Sequence, residues 1–229
     1  MKIPTETQIV RRRLRVRLHL WRWHAMTQFW RCSKRSIDLL VVVPLGLLLA
    51  PLLGILAFWI WAIDRGPVFY WQRRVGLNGV EFDFPKFRSM CINSDAIRVQ
   101  LLALNQHGDQ GVTFKMKRDP RVTAAGRFMR RFSIDELPQL WCVLKGKMTL
   151  VGPRPPLPSE VALYTQNDRE RLRVTPGLTC IWQVSGRAEI PFDKQVLMDI
   201  DYIQQASLKT DVMLLLKTIP AVLLGRGAY

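Results

Sequence analysis

Histidine is scarce in this chain and cysteine pairs are absent, which together argue against two large function classes. His19, His24 and His107 stand in no metal-ligand spacing, and Cys32, Cys91, Cys142 and Cys180 are far apart with no CxxC pair. Zinc held by thiolate and imidazole, or a disulfide framework, would need closer spacing. The plain reading is a protein of a reducing compartment whose histidines are solvated surface. Acidic residues are also in deficit. Only 18 Asp and Glu face 34 Lys and Arg, so the formal net charge is +16. That surplus asks for an anionic partner: nucleic acid, anionic lipid or a phosphorylated substrate. There is no internal repeat and no low-complexity stretch. With 48% hydrophobic residues over 229 positions, the chain can build one ordinary domain with appendages.

What is present begins with a basic leader over residues 1–33. Arg11, Arg12, Arg13, Arg15, Arg17, Arg22 and Arg31 alternate with Leu14, Val16, Leu18, Trp21, Trp23 and Trp30. Such a segment suits the surface of an anionic leaflet, the alternative being a disordered basic tail. An uncharged run follows at 39–63, long enough to reach about 37 Å as a helix and cross a bilayer core. It lies too far along the chain for a cleaved signal peptide. Pro44 and Pro51 interrupt it, and both flanks are basic: Arg31, Lys34 and Arg35 before, Arg65, Arg73 and Arg74 after. Keeping both flanks on the cytoplasmic side favours a re-entrant helix that bends near Ala50-Pro51 and returns. The competing reading is a straight span with a tolerated kink. Asp38, at the start of this segment (34–64), would be costly in lipid unless paired, and Arg35 or Lys34 is the expected partner.

Beyond residue 64 the texture changes. Residues 68–72 and 81–84 read as two strands joined by a turn at 76–79, a hairpin. Residues 93–111 read as a helix and polar loop, Asp119-Pro120 as a turn, 125–133 as a helix, 158–174 as a charged helix, and 213–224 as an apolar interfacial helix too short to span.

The chemistry concentrates at Arg130-Arg131-Phe132-Ser133-Ile134-Asp135-Glu136. Adjacent carboxylates repel unless a cation or proton lies between them. Guanidinium groups present a donor fork suited to phosphate. An acid pair beside arginines, with Arg154 and Arg187 in later Gly/Pro-bent loops, is the chemistry of metal-assisted phosphoryl transfer. The bland alternative is a capping box, with Ser133 as N-cap and Glu136 three residues on.

Several short motifs then occur in one order: KRSID at 34–38, the proline-broken run, GPVFYWQRRVGLNG at 66–79, KFRSM at 86–90, DPRVT at 119–123, SIDELPQL at 133–140, VGPRP at 151–155 and PGLTCIWQVSGR at 176–187. Each is weak alone, but the ordered set is specific. From residue 34 onward the chain resembles the bacterial sugar transferases known as monotopic polyprenyl-phosphate phosphoglycosyl transferases, and its ending, KTIPAVLLGRGAY, resembles the exopolysaccharide-initiating hexose-1-phosphate transferases among them. The resemblance implies an α+β fold: a re-entrant membrane helix and a small mixed catalytic domain over 65–229 with a short β-hairpin and interfacial amphipathic helices.

It also implies transfer of hexose-1-phosphate from a UDP-sugar to undecaprenyl phosphate, with release of UMP. Asp135 would be the nucleophile and Glu136 the ligand of Mg²⁺. Arg130 and Arg154 would orient phosphate, Arg187 would contact the nucleotide, and Lys86 and Arg88 would bind phosphate or face lipid headgroups. Asp199 would support the site, and Ala50-Pro51, Asp38 and Arg35 would shape the membrane helix. The implied setting is the cytoplasmic face of the bacterial inner membrane, with anionic lipids as partners and no nucleic acid, and it allows a homo-oligomer. Cys180, Cys142 and Lys147 depart from the family pattern and put local loop geometry in question. A nucleic-acid module would explain the charge but neither the uncharged run nor the acid pair, and a non-enzymatic scaffold would leave the acid pair without a purpose.

Overall fold

The computed structural model describes residues 6–91, Ser94 and 119–224. The expected helix and loop at 93–111, apart from Ser94, and the chain's last five residues lie outside the described residues. The main elements are helix α1 (Glu6–Asp64), strands β1 (Phe69–Val75) and β2 (Glu81–Phe87), helix α2 (Ala124–Arg131), a 3-10 turn (Ile134–Gln139), helix α3 (Leu140–Leu144), strand β3 (Thr149–Val151), helix α4 (Pro158–Val161), a 3-10 turn (Asp168–Arg173), strand β4 (Gly177–Thr179), and helices α5 (Ile181–Ser185), α6 (Phe192–Gln204) and α7 (Leu208–Leu224). Strands β1 and β2 form the expected antiparallel hairpin, with Phe69 opposite Phe87 and Val75 opposite Glu81. Strands β3 and β4 pair in parallel. Gly152 and Gly177 allow that approach, since a Cβ on Gly177 would fall 2.0 Å from the Gly152 nitrogen. The α+β class holds.

The expected helix at 158–174 is not continuous. Asp168 Oδ2 accepts from the Thr165 backbone N–H and hydroxyl, at 2.8 Å each, and the Thr165 hydroxyl oxygen in turn accepts from the Asp168 N–H. This local side-chain-to-backbone closure competes with helical bonding and leaves α4 and a separate 3-10 turn.

Helix α1 runs without interruption through Ala50 and Pro51, so the chain carries no unwound break there. The stretch Gln28–Ile63 is long and apolar enough to cross a membrane by length and composition. Its buried and half-buried positions include Arg35, Asp38, Val42, Leu45, Leu49, Leu53, Leu56 and Ile60. Steps of three and four keep these on one helix face. Pro44 and Pro51, seven apart, lie exposed on the opposite face. Val42 joins a core of Phe82, Phe84, Val143, Met148, Leu150, Tyr202 and Leu214, while Leu56 and Ile60 join a second with Phe87 and Met129. Gly46 and Gly54 have nothing within 4 Å of a would-be Cβ. Leu40, Leu47, Leu48, Ile55, Phe58 and Ile63 remain exposed.

The first end of this apolar stretch is tied down by polar contacts, and they correct the expected pairing of Asp38. Its carboxylate accepts from the Thr149 hydroxyl at 2.6 Å and the Leu150 N–H at 3.1 Å. Arg35 instead donates to the carbonyls of Val143 and Leu144. Lys34 binds Asp211 at 2.5 Å, and the Tyr202 hydroxyl and the Val151 carbonyl at 2.8 Å each. The helix face that carries all three residues is turned toward β3, α3 and α7, whose groups outcompete neighbours on the same helix.

Candidate active site

Strand alternation builds the first wall of the site. In β1, Arg73 faces outward to Asp83, both side chains mostly exposed, and Arg74 faces inward. Arg74 donates to the Pro155 carbonyl at 2.9 Å and to Gln72. Burial brings the Arg74 pKa down to about 10. On β2, Lys86 reaches Glu136 at 3.1 Å. Beyond the hairpin, Ser89 meets α2 at Gly126, where a Cβ would fall 1.9 Å from the Ser89 carbonyl oxygen. That close packing, fixed by the Thr123 cap on the Gly126 N–H, delivers Arg130 to the Ser89 hydroxyl at 2.9 Å.

The chain then turns at Ser133, whose φ of 55° is left-handed. Ser133 makes no side-chain cap, and Glu136 does not reach back to it. The expected capping box is therefore absent. A left-handed Ser133 does not have the extended backbone that an N-cap requires, and Glu136 has stronger partners. Arg154 grips Glu136 with both arms, Nη1 to Oε2 at 3.2 Å and Nη2 to Oε1 at 2.5 Å. Strained residues of this kind cluster at functional sites, and Arg187, also left-handed at φ 53°, is the second one here.

A cavity of about 840 Å³ collects these groups. Asp135, Glu136, Arg130, Arg154, Arg187, Lys86 and Arg88 all line it, as do Arg74, Arg121 and Arg171. Arg88 lies over Gly66, where any side chain would strike the guanidinium at 2.1 Å. Ala50 and Pro51 are exposed on α1 and take no part in the cavity, nor do Arg35 and Asp38, which hold α1 in place. Asp199 is one step removed: it is buried and paired with Arg171, whose Nη1 also meets the Tyr164 hydroxyl at 3.1 Å. Burial pushes the Asp199 carboxyl up to about 6, with Arg171 opposing the rise.

The acid pair is electrically unequal. Burial would raise Glu136, but the charges and hydrogen bonds of Arg154 and Lys86 hold it well below the usual carboxylate range. Asp135 is pushed up, by burial first and by the Glu136 charge second. It is 6% exposed, and among the described residues its carboxylate has no hydrogen-bond donor. A buried, under-partnered carboxylate calls for a cation, a proton or an electrophile. Mg²⁺ binds through one or two carboxylates and substrate phosphates. The Asp135-Glu136 oxygens fit that donor chemistry, and no group of three or more His, Cys, Asp or Glu forms a metal set among the described residues.

Two site residues left no local signal: Arg74, which only strand alternation distinguishes from Arg73, and Arg171, the partner of Asp199, 28 residues away. The departures from the family pattern fit the places where they stand. Cys180 has an extended backbone, φ −149°, open to any residue, Cys142 packs in the core, and Lys147 is exposed.

The bacterial sugar transferase family matches residues 29–225. The exopolysaccharide production protein ExoY of Sinorhizobium fredii is 40% identical over 199 residues, which cover 86% of this chain and 88% of that protein. The galactosyl transferase CpsE of Streptococcus agalactiae is 43% identical over 197 residues, 86% of this chain and 43% of CpsE. The undecaprenyl-phosphate galactose phosphotransferase of Salmonella typhimurium is 41% identical over 201 residues, 87% of this chain and 42% of that protein. The chain thus spans less than half of the last two relatives and most of the first. On a match that runs through both walls of the cavity and nearly the whole length of one relative, the chain belongs to the bacterial sugar transferase family of phosphoglycosyl transferases.

Proposed function

We propose that this chain transfers hexose-1-phosphate from a UDP-sugar to undecaprenyl phosphate, releasing UMP, as the first membrane step of exopolysaccharide or related glycoconjugate synthesis. The observation that carries this reading is the unequal acid pair: a buried Asp135 with no donor among the described residues, next to a Glu136 already neutralised by Arg154 and Lys86. An Asp135 oxygen attacks the sugar-bearing phosphorus. The bond from that phosphorus to the bridging oxygen breaks, and UMP leaves with the electron pair. An oxygen of undecaprenyl phosphate then attacks the aspartyl phosphosugar, the acyl phosphate P–O bond breaks, and the carboxylate is restored.

Arg130 and Arg154 orient the phosphates, with Lys86 and Arg88 adding charge and Arg187 contacting the nucleotide. Asp199 supports the site by holding Arg171 in the cavity wall. Glu136 would hold Mg²⁺ in exchange for part of its contact with Lys86 or Arg154. The ion, when bound, would offset repulsion between the carboxylates and the diphosphate.

Residues 1–33 act as a surface leader on anionic lipids, 34–64 as a re-entrant helix and 65–229 as the catalytic domain on the cytoplasmic face. Two facts favour the bend. Both the first half of the described apolar helix, through Val42 and Leu45, and its second half, through Leu53, Leu56 and Ile60, pack on the catalytic body. Pro44 and Pro51 lie on the outer side, where a ring that pushes on the carbonyl four residues back opens the helix and curves it away.

The test is UMP release from a panel of UDP-sugars, with undecaprenyl phosphate and Mg²⁺ present. One UDP-hexose should be turned over, and Asp135→Asn should form no lipid-linked sugar. Full activity in Asp135→Asn would overturn the mechanism, and no UMP from any UDP-sugar would overturn the function.

A further inference from the structure

The cavity that holds the acid pair does not end in polar residues. On one side it is walled by α1 through Val41 and Leu45, and on the other by α7 through Leu215, Ile219 and Val222. These positions form matching stripes. On α1 the stripe descends from Lys34 through Asp38 and Val41 to Leu45. On α7 it descends from Asp211 through Leu215 and Thr218 to Val222. Each follows the three- and four-residue steps of one helix face. The stripes are pinned together at their first end by the Lys34–Asp211 ion pair. Further along, both helices border the open cavity. Helix α7 is fixed there by Thr218, whose hydroxyl lies 2.8 Å from that of Thr179 on β4. Val41 is 39% exposed and Ile219 58% exposed, so the apolar end is open outward as well as to the acid pair.

We infer that the groove between α1 and α7 binds the first isoprene units of the polyprenyl phosphate, a proposal that rests on the lipid acceptor assigned above. A single cavity with a cationic end and an apolar end matches an amphiphile with an anionic head and a hydrocarbon tail. The lysines and arginines near Asp135 take the phosphate, and the facing aliphatic rows take the tail. Nucleotide-sugars have no group that needs such a wall. The groove also gives α1 a role beyond anchoring, because its Val41–Leu45 face becomes part of the acceptor site. A chain lying there enters from the side of the membrane helix, with its phosphate already directed at the aspartyl phosphosugar.

The experiment uses the full chain in detergent. Val41→Trp and Ile219→Trp each fill the groove from one wall, and Leu216→Trp places the same bulk on the exposed outer face of α7. Two reactions are measured: UMP release on first turnover with UDP-sugar and no lipid, and steady-state transfer to undecaprenyl phosphate or to the short geranyl phosphate. Both groove variants should raise KM about tenfold for undecaprenyl phosphate and also for geranyl phosphate, whose two isoprene units occupy the same groove, with UMP release unchanged. Leu216→Trp should leave all three near wild type. The groove is wrong if KM for undecaprenyl phosphate stays within about twofold in both groove variants, or if UMP release falls in step with transfer. Wild-type protein that releases no UMP would instead point to failure of the functional reading itself.

Discussion

Glu136 is held by two cations, while Asp135 has no donor among the described residues, and the properties of single residues in this site follow from that asymmetry. Arg154 approaches Glu136 as a two-armed fork, a geometry that a lysine ammonium cannot copy. Arg154→Lys should therefore keep the charge and lose alignment, lowering kcat/KM about 10²-fold while the melting temperature changes little. Initial-rate kinetics beside a thermal melt separates the two effects. Chelation of divalent cations should abolish transfer, and added Mg²⁺ should restore it. If Glu136 is the ligand, Glu136→Gln should raise the Mg²⁺ concentration for half-maximal rate about tenfold or more, and an unchanged Mg²⁺ requirement would remove Glu136 from that role. The acid pair and its arginines were visible in the sequence because they are local. The partners of Glu136 were not, since Lys86 and Arg154 lie 50 and 18 residues away.

Elements are held in place by a few buried polar contacts, and these set the cost of disturbing them. Asp38 docks α1 on β3 through Thr149 and Leu150. Asp38→Ala leaves the buried Leu150 N–H without its acceptor, and should cost about 2 kcal/mol, read as a lower denaturation midpoint in detergent. The Arg171–Asp199 pair joins α6 to the 3-10 turn at Asp168–Arg173. Asp199→Ala strands a buried guanidinium and should cost about 3–5 kcal/mol, whereas replacing the pair with Met and Leu should recover most of it. Its pH signature has a definite sign. The folded carboxyl holds its proton up to about 6, against an ordinary value of 3.8, so the folded state binds the extra proton between those values. Its contribution is present below the lower pKa and is lost as pH rises through the upper one. Wild type should gain on Asp199→Asn by about 1 kcal/mol per pH unit as pH falls from 6 toward 4. A gap that narrows over that range would contradict the elevated pKa. The hairpin at β1 and β2 was legible from alternation and turn residues. The broken helix at 158–174 was not, because its period continues across a closure that only the Thr165–Asp168 geometry supplies.

At the scale of the whole molecule, the question is how a charged catalytic body meets a lipid phase. The proposed seat on an anionic membrane rests on the exposed apolar outer face of α1 and on the positive balance of the chain. Single cysteines placed before residue 39 and after residue 63 should label from the cytoplasmic side only, and labelling from opposite sides would establish a span. Replacing Pro44 and Pro51 together with alanine should straighten the helix and shift the second cysteine toward the far side. Composition and spacing by themselves determined a strongly basic chain with one long uncharged run and an acid pair beside arginines, and motif order carried the sugar-transferase resemblance that makes Asp135 the proposed nucleophile, because charge balance, run length and short motifs are properties of contiguous residues. Tertiary structure decided which cations neutralise Glu136, what receives Asp38, and which helices border the cavity. Those outcomes depend on long-range competition among buried polar groups, where the best-placed partner wins and sequence distance carries no weight.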